Sequence, residues 1–163
     1  MRKITAIILA CLACLSAVGV SAYFVSTSAK DNVTDIGLVT TVIEEEFPDP
    51  DPVEPGDVKT KRVRIRNTGK IPCYVRAQIL FSDSAMESLC DLDYDRTNWA
   101  YSESDGWWYY RPRLDTNART NPLFTSVTVS QNADAEDIIP FEIYVRQESR
   151  QADGHSSYET AWE

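Results

Sequence analysis

The sequence predicts an all-β protein, an antiparallel β-sandwich with little helix. Three observations carry that expectation. Apolar residues in the long runs recur with a period of two rather than 3.6. β-Branched and aromatic residues fill those runs. Proline, glycine, asparagine and aspartate separate them. The chain has 163 residues, 43% of them hydrophobic. That favours one domain with a core of its own. The aromatic and β-branched content is too high for a disordered chain. A net charge of −9 argues against nucleic acid or an anionic membrane surface as the main partner.

The first element is a targeting segment. Arg2 and Lys3 precede an uncharged run from Ile4 to Val20, and Val20-Ser21-Ala22 supplies compact residues before Tyr23. This is the pattern of a secretory signal peptide, residues 1–22, cleaved between Ala22 and Tyr23. Retained, the same run would be an N-terminal anchor, and it is the chain's one expected membrane contact. Cleavage takes the net charge from −9 to −11, because Arg2 and Lys3 leave with it. It also removes Cys11 and Cys14, whose Cys-x-x-Cys spacing lies inside the apolar run.

Residues 23–35 follow, polar and rich in serine and threonine, with no evident partner strand in the chain. Such a segment is either disordered or donated to the sheet edge of another subunit. The Asn32-Val33-Thr34 sequon within it reads as coincidence. Residues 36–163 form the expected sandwich domain. Gly37 to Ile43 reads as a strand, and the alternating prolines of Phe47 to Pro52 exclude helix or central strand. Glu54-Pro55-Gly56-Asp57 and Asn67-Thr68-Gly69-Lys70 read as tight turns with glycines suited to positive φ. Between them, Arg62-Val63-Arg64-Ile65-Arg66 alternates charge with β-branched residues.

Cys73 to Phe81 is the clearest half-buried strand, with every odd position apolar. Asp83 to Leu92 has a short helical look. Trp107 to Arg111 reads as an aromatic strand, Phe124 to Ser130 as a β-branched one, Asn132 to Asp137 as a polar loop, and Phe141 to Arg146 as a further alternating strand. Many short strands of this kind fit a sandwich of the jelly-roll or immunoglobulin type.

Catalytic chemistry is sparse. The one histidine, His155, sits in a polar stretch. There is no His-Glu-x-x-His, no Gly-x-Ser-x-Gly and no glycine-rich phosphate loop. No cofactor is expected, and the chain does not read as an enzyme. Asp91-Leu92-Asp93-Tyr94-Asp95 resembles the start of a calcium loop. Arg96 then stands where the loop needs glycine, and Ser102 where it needs its bidentate glutamate. Cys73 and Cys90 remain after cleavage in an exported chain. A disulfide between them is one reading, and a small core hydrophobe at Cys73 is the other.

Two features could carry contacts. Arg62, Arg64 and Arg66 form a positive stripe on one strand face. It reads as a solvated edge, or as a dock for an acidic segment such as Glu44-Glu45-Glu46 of a neighbouring copy. The aromatic group Trp99, Tyr101, Trp107, Trp108, Tyr109 and Tyr110 divides by alternation between core and surface. Its exposed members would suit a glycan or a partner subunit.

Four motifs in order resemble one family. They are the signal end Ala22-Tyr23-Phe24 with Gly37-Leu38-Val39 after a polar spacer; Val58 to Arg66, Asn67-Thr68-Gly69 and Cys73-Tyr74-Val75-Arg76; Asp105-Gly106-Trp107-Trp108-Tyr109-Tyr110 with Pro122-Leu123-Phe124; and Gln151-Ala152-Asp153-Gly154 with Ala161-Trp162. Together they are similar to the TasA/camelysin family of Gram-positive exported matrix and surface proteins. The resemblance implies processing by a SipW-type signal peptidase, a jelly-roll sandwich and secretion to the extracellular matrix or cell surface. It also implies self-association, or association with a related fibre subunit, through an N-terminal strand. The subunit contacts it implies are Tyr23, Phe24, Val25 and Val33. The metallopeptidase label of camelysin-type members is not carried over, because a zinc ligand set is not recognisable here. The other reading is a monomeric surface-binding module using its exposed aromatics.

Overall fold

The computed structural model describes residues 24–28, 39–47 and 52–163. The signal segment 1–22, the Ala22–Tyr23 cleavage point, Cys11, Cys14 and Val33 lie outside these residues. Ten strands follow one another: β1 (Phe24–Ser28), β2 (Thr41–Glu46), β3 (Val58–Thr60), β4 (Arg62–Asn67), β5 (Cys73–Phe81), β6 (Cys90–Leu92), β7 (Trp99–Ser102), β8 (Trp107–Tyr110), β9 (Ser126–Val129) and β10 (Phe141–Gln151). The described residues also form two short helices, Ser84–Leu89 and Tyr158–Ala161. Among the described residues no helix is long and apolar enough to cross a membrane. The all-β expectation holds.

One layer is a five-stranded sheet of order β1-β10-β5-β8-β7. Its centre is the antiparallel pair of β5 and β10, in register from Ile143 opposite Phe81 to Gln151 opposite Cys73. The polar half of β10, Gln147 to Gln151, extends the strand beyond the Phe141–Arg146 read from alternation. Its register partners, Cys73 to Ala77 of β5, hold it there rather than its own propensity.

The second layer pairs β2 with β4, and β9 with β3 on one side and β6 on the other. Backbone hydrogen bonds join these pieces. Lys61 N–H donates to Thr125 O at 3.0 Å, Leu123 N–H to Val63 O at 2.9 Å, and Thr120 N–H to Ile65 O at 2.9 Å. Residues 58–67 thus run continuously against 117–129.

The core lies between the layers and follows the two-residue pleat. Val63 and Ile65 of β4, Val75 and Ala77 of β5, Val127 and Val129 of β9, and Ile143 and Val145 of β10 point inward. Trp99, Phe124, Leu114 and Leu123 fill the ends. Met86 plugs the core from the first helix, which Asp83 caps by accepting from Ala85 N–H at 2.8 Å and Met86 N–H at 3.1 Å. At the rim Lys61 is buried on Glu45 at 2.9 Å, with Phe47 beside its ammonium. Burial pushes the Lys61 pKa down, and the Glu45 carboxylate works against that shift.

Three details differ from the sequence expectation. Gly56 has the positive φ expected of its turn, at 86°, but Gly69 does not. There the Asn67 side chain holds the turn instead, accepting from Gly69 N–H at 2.8 Å and donating to Ile71 O at 2.8 Å. Strands β3, β6 and β7 were not expected as separate elements. The helical reading of 83–92 splits into a helix and β6.

Candidate functional site

The largest departure concerns the N-terminal segment. The sequence offered it no partner within the chain, yet β1 lies parallel to β10, with Phe24 opposite Phe141, Val25 opposite Glu142 and Ser28 opposite Val145. The partner is 117 positions away, so no hairpin turn announces it. Among the described strands β1 occupies the outermost position of its sheet and pairs with β10 alone. It is the one parallel pair among the described strands. Parallel neighbours normally come from a crossover unit with a helix between them, whereas β1 joins the sheet as an added edge. Lifting it away would break no other pair of the described strands. It would open the flank of β10 where Phe141, Ile143 and Val145 feed the core.

The arginine stripe faces acidic residues of the same chain. β2 pairs with β4 so that Glu44 stands opposite Arg64 and Glu46 opposite Arg62. Arg62 meets Glu46 at 2.7 Å, and Arg66 meets Glu44 at 3.8 Å. Arg119 adds a 2.6 Å bond to Glu44 and, with the other arginines, holds that carboxyl below its usual range. The segment Glu44-Glu45-Glu46, read above as one that a neighbouring copy could offer if the stripe is not a solvated edge, lies opposite the stripe in the same chain.

The aromatic group is mostly spent on packing. Trp99, Trp107, Trp108 and Tyr110 are buried, Tyr109 is half-buried, and Tyr101 is 47% exposed. Trp107 belongs to the outer face of the five-stranded sheet, in a stack of alternating cations and rings. Arg146 lies 5.2 Å and Arg76 4.3 Å from Trp107, while Arg76 and Arg150 lie 4.2 and 4.8 Å from Trp162. Glu148 ties the ladder together, meeting Arg76 at 2.6 Å and Arg146 at 3.0 Å. Arg150 donates to Ala161 O at 2.8 Å, pinning the C-terminal turn to the sheet. Sequence reading missed this ladder. Its signal was the alternation Arg146-x-Glu148-x-Arg150 matched by Tyr74-x-Arg76 and Trp107-x-Tyr109 on neighbouring strands.

Cys73 and Cys90 are both free thiols, on β5 of one layer and β6 of the other. The bridge between them is not formed in this structure. Burial pushes the Cys73 thiol up to about 12 and the Cys90 thiol to about 11.

The calcium-like aspartates serve as loop caps. Asp93 accepts from Thr125 N–H and Ser126 N–H, each at 2.7 Å, and from the Thr125 hydroxyl. Asp95 accepts from Thr97 N–H at 3.0 Å and from the Asn98 side chain at 2.7 Å. Among the described residues no group of three or more His, Cys, Asp or Glu is placed to hold one ion.

The fold and site define an all-β protein of two layers, with a parallel N-terminal strand laid along one sheet edge. Comparison with family models, curated proteins and solved structures returns no match to the chain.

Proposed function

We propose that the protein is a secreted structural subunit of an extracellular matrix or surface fibre, of the TasA/camelysin kind. In this reading its sandwich is a jelly roll. A SipW-type signal peptidase cleaves after Ala22. The freed segment 23–35 then pairs with β10 of a neighbouring copy, or of a related fibre subunit.

The observation that supports this is the lateral, parallel placement of β1 on β10. The same main-chain hydrogen bonds form whether β1 comes from its own chain or from the next, so exchange costs little in contacts. Exchange in one direction does not close on itself and propagates a filament. An uncleaved signal would hold the strand at the membrane, which makes cleavage the switch for assembly. The reading as a monomeric module with an aromatic surface has less support, since Tyr101 is the one exposed ring of the six.

Negative-stain electron microscopy of residues 23–163 beside residues 36–163 tests the proposal. Filaments from the first and monomers from the second are expected. Filaments from both, or from neither, would overturn strand donation.

A further inference from the structure

Over β7 and β8, at the opposite edge of the sheet from β1, the C-terminal turn borders an open groove of ≈ 340 Å³. That volume lies at the small end of ligand pockets. Four rings line it, those of Tyr101, Tyr109, Tyr158 and Trp162. Tyr109 of β8 stands 6.2 Å from Tyr158 and 6.1 Å from Trp162, centroid to centroid. The ladder beneath fixes those rings. Arg76 holds Trp162 and donates to the Tyr109 hydroxyl at 3.1 Å, and Arg111 donates to the Tyr158 hydroxyl at 3.3 Å. Among the described residues its charged lining is acidic, with Asp105, Glu159 and Glu163 and no lysine or arginine. Asp105 accepts from the Tyr109 hydroxyl and lies 3.8 Å from the Arg76 guanidinium, which already answers its charge, so an incoming cation is left to Glu159 and Glu163; Glu159 is exposed.

The geometry points to an amino sugar as the ligand. A pyranose has one apolar face, which rigid rings hold by burying its C–H groups. A protonated amine on that pyranose meets the carboxylates, which would repel an acidic sugar. A neutral sugar would leave this charge unused. A flexible lysine chain would leave the ring walls poorly filled. The groove and the β1 edge lie at opposite sides of one sheet, so a subunit can hold the saccharide while its strand edge is engaged. The inference is independent of the fibre reading.

Titration calorimetry on residues 23–163 tests it with three probes: a glucosamine hexamer, its N-acetylated counterpart and hexalysine. The glucosamine hexamer should bind at least about ten-fold more tightly than either other probe. Glu159→Gln with Glu163→Gln should weaken it about five-fold, the worth of two exposed charge pairs. Asp134→Asn with Glu136→Gln makes the same change in net charge on a distant exposed loop and should leave affinity unchanged. Equal binding of the N-acetylated hexamer would overturn the role of the amine. Equal binding of hexalysine, or an equal loss in the loop variant, would show only general attraction to an acidic protein. No binding of the glucosamine hexamer would refute the site.

Discussion

Replacing Arg76 by lysine keeps the charge and removes the planar fork, which isolates what the fork contributes. The Arg76 side chain is 19% exposed and lies 4.3 Å from Trp107 and 4.2 Å from Trp162. Its Nε and Nη2 both donate to Glu148 Oε2, at 3.0 and 2.6 Å. Each half-desolvated ring contact is worth about 1 kcal/mol, and the forked bond to a carboxylate about 2 kcal/mol. Lysine retains one contact to the carboxylate and part of the stacking, so Arg76→Lys should cost about 2 kcal/mol. Arg76→Ala should cost about 4 kcal/mol. The loss goes no further because Glu148 keeps Arg146 at 3.0 Å and is not stranded. Urea denaturation of residues 36–163, the form expected to stay monomeric, measures this as a shift in midpoint at constant slope. Arg113→Lys, at an exposed pair with Asp115, is the control and should change stability by less than about 0.5 kcal/mol. If Arg76→Lys costs no more than that control, the ladder does not hold the C-terminal turn in the way described.

Asn67→Ala should cost about 3 kcal/mol in the same urea assay, because the Gly69 N–H and the carbonyls of Ile71 and Leu114 lose a fully buried partner together; a loss below 1 kcal/mol would mean water replaces the side chain. Thiol alkylation of the mature chain at pH 8 should be slow until denaturant is added and should then count two thiols, since both thiol pKa values are raised to about 11 and 12. A count of zero in denaturant would establish the Cys73–Cys90 bridge instead. Partial burial works against the Asp93 carboxylate, but the donors of Thr125 and Ser126 outweigh it and hold its pKa down. A carboxylate with a depressed folded-state pKa contributes stability above its unfolded value and loses it as pH falls through the folded one. Asp93→Asn should therefore lower stability at pH 7 and flatten its fall below about pH 4; an unchanged acid slope would contradict the cap.

Strands that bury one face were legible in the sequence. Cys73 to Phe81, Arg62 to Arg66 and Phe141 to Arg146 alternate because the sandwich hides every second residue. The three- and four-residue strands β3, β6 and β7 were not. They are strands because β8 and β9 offer them a ladder, and so short a run has too few alternations to show a period.

The site was least legible where it depends on distant partners. Nothing local in Phe24 to Ser28 points to Phe141 as a neighbour. Nothing in the arginine stripe says that its glutamates lie opposite in the same sheet. Trp162 meets Arg76 across 86 positions, and only the folded sheet brings them together. Gly69 shows a local rule overridden, since a buried asparagine closed the turn without a left-handed glycine.

The register of β1 on β10 allows the most direct test of strand exchange. Thr27 stands opposite Tyr144, and neighbouring strands bring Cα atoms within disulfide range. In a Cys90→Ser background, Thr27→Cys with Tyr144→Cys should oxidise within filaments to a ladder of covalent multimers on a non-reducing gel. Reductant should return the ladder to monomer. The account predicts that ladder. A crosslink found in filaments only within single chains would contradict it, leaving β1 as a fixed strand of its own subunit.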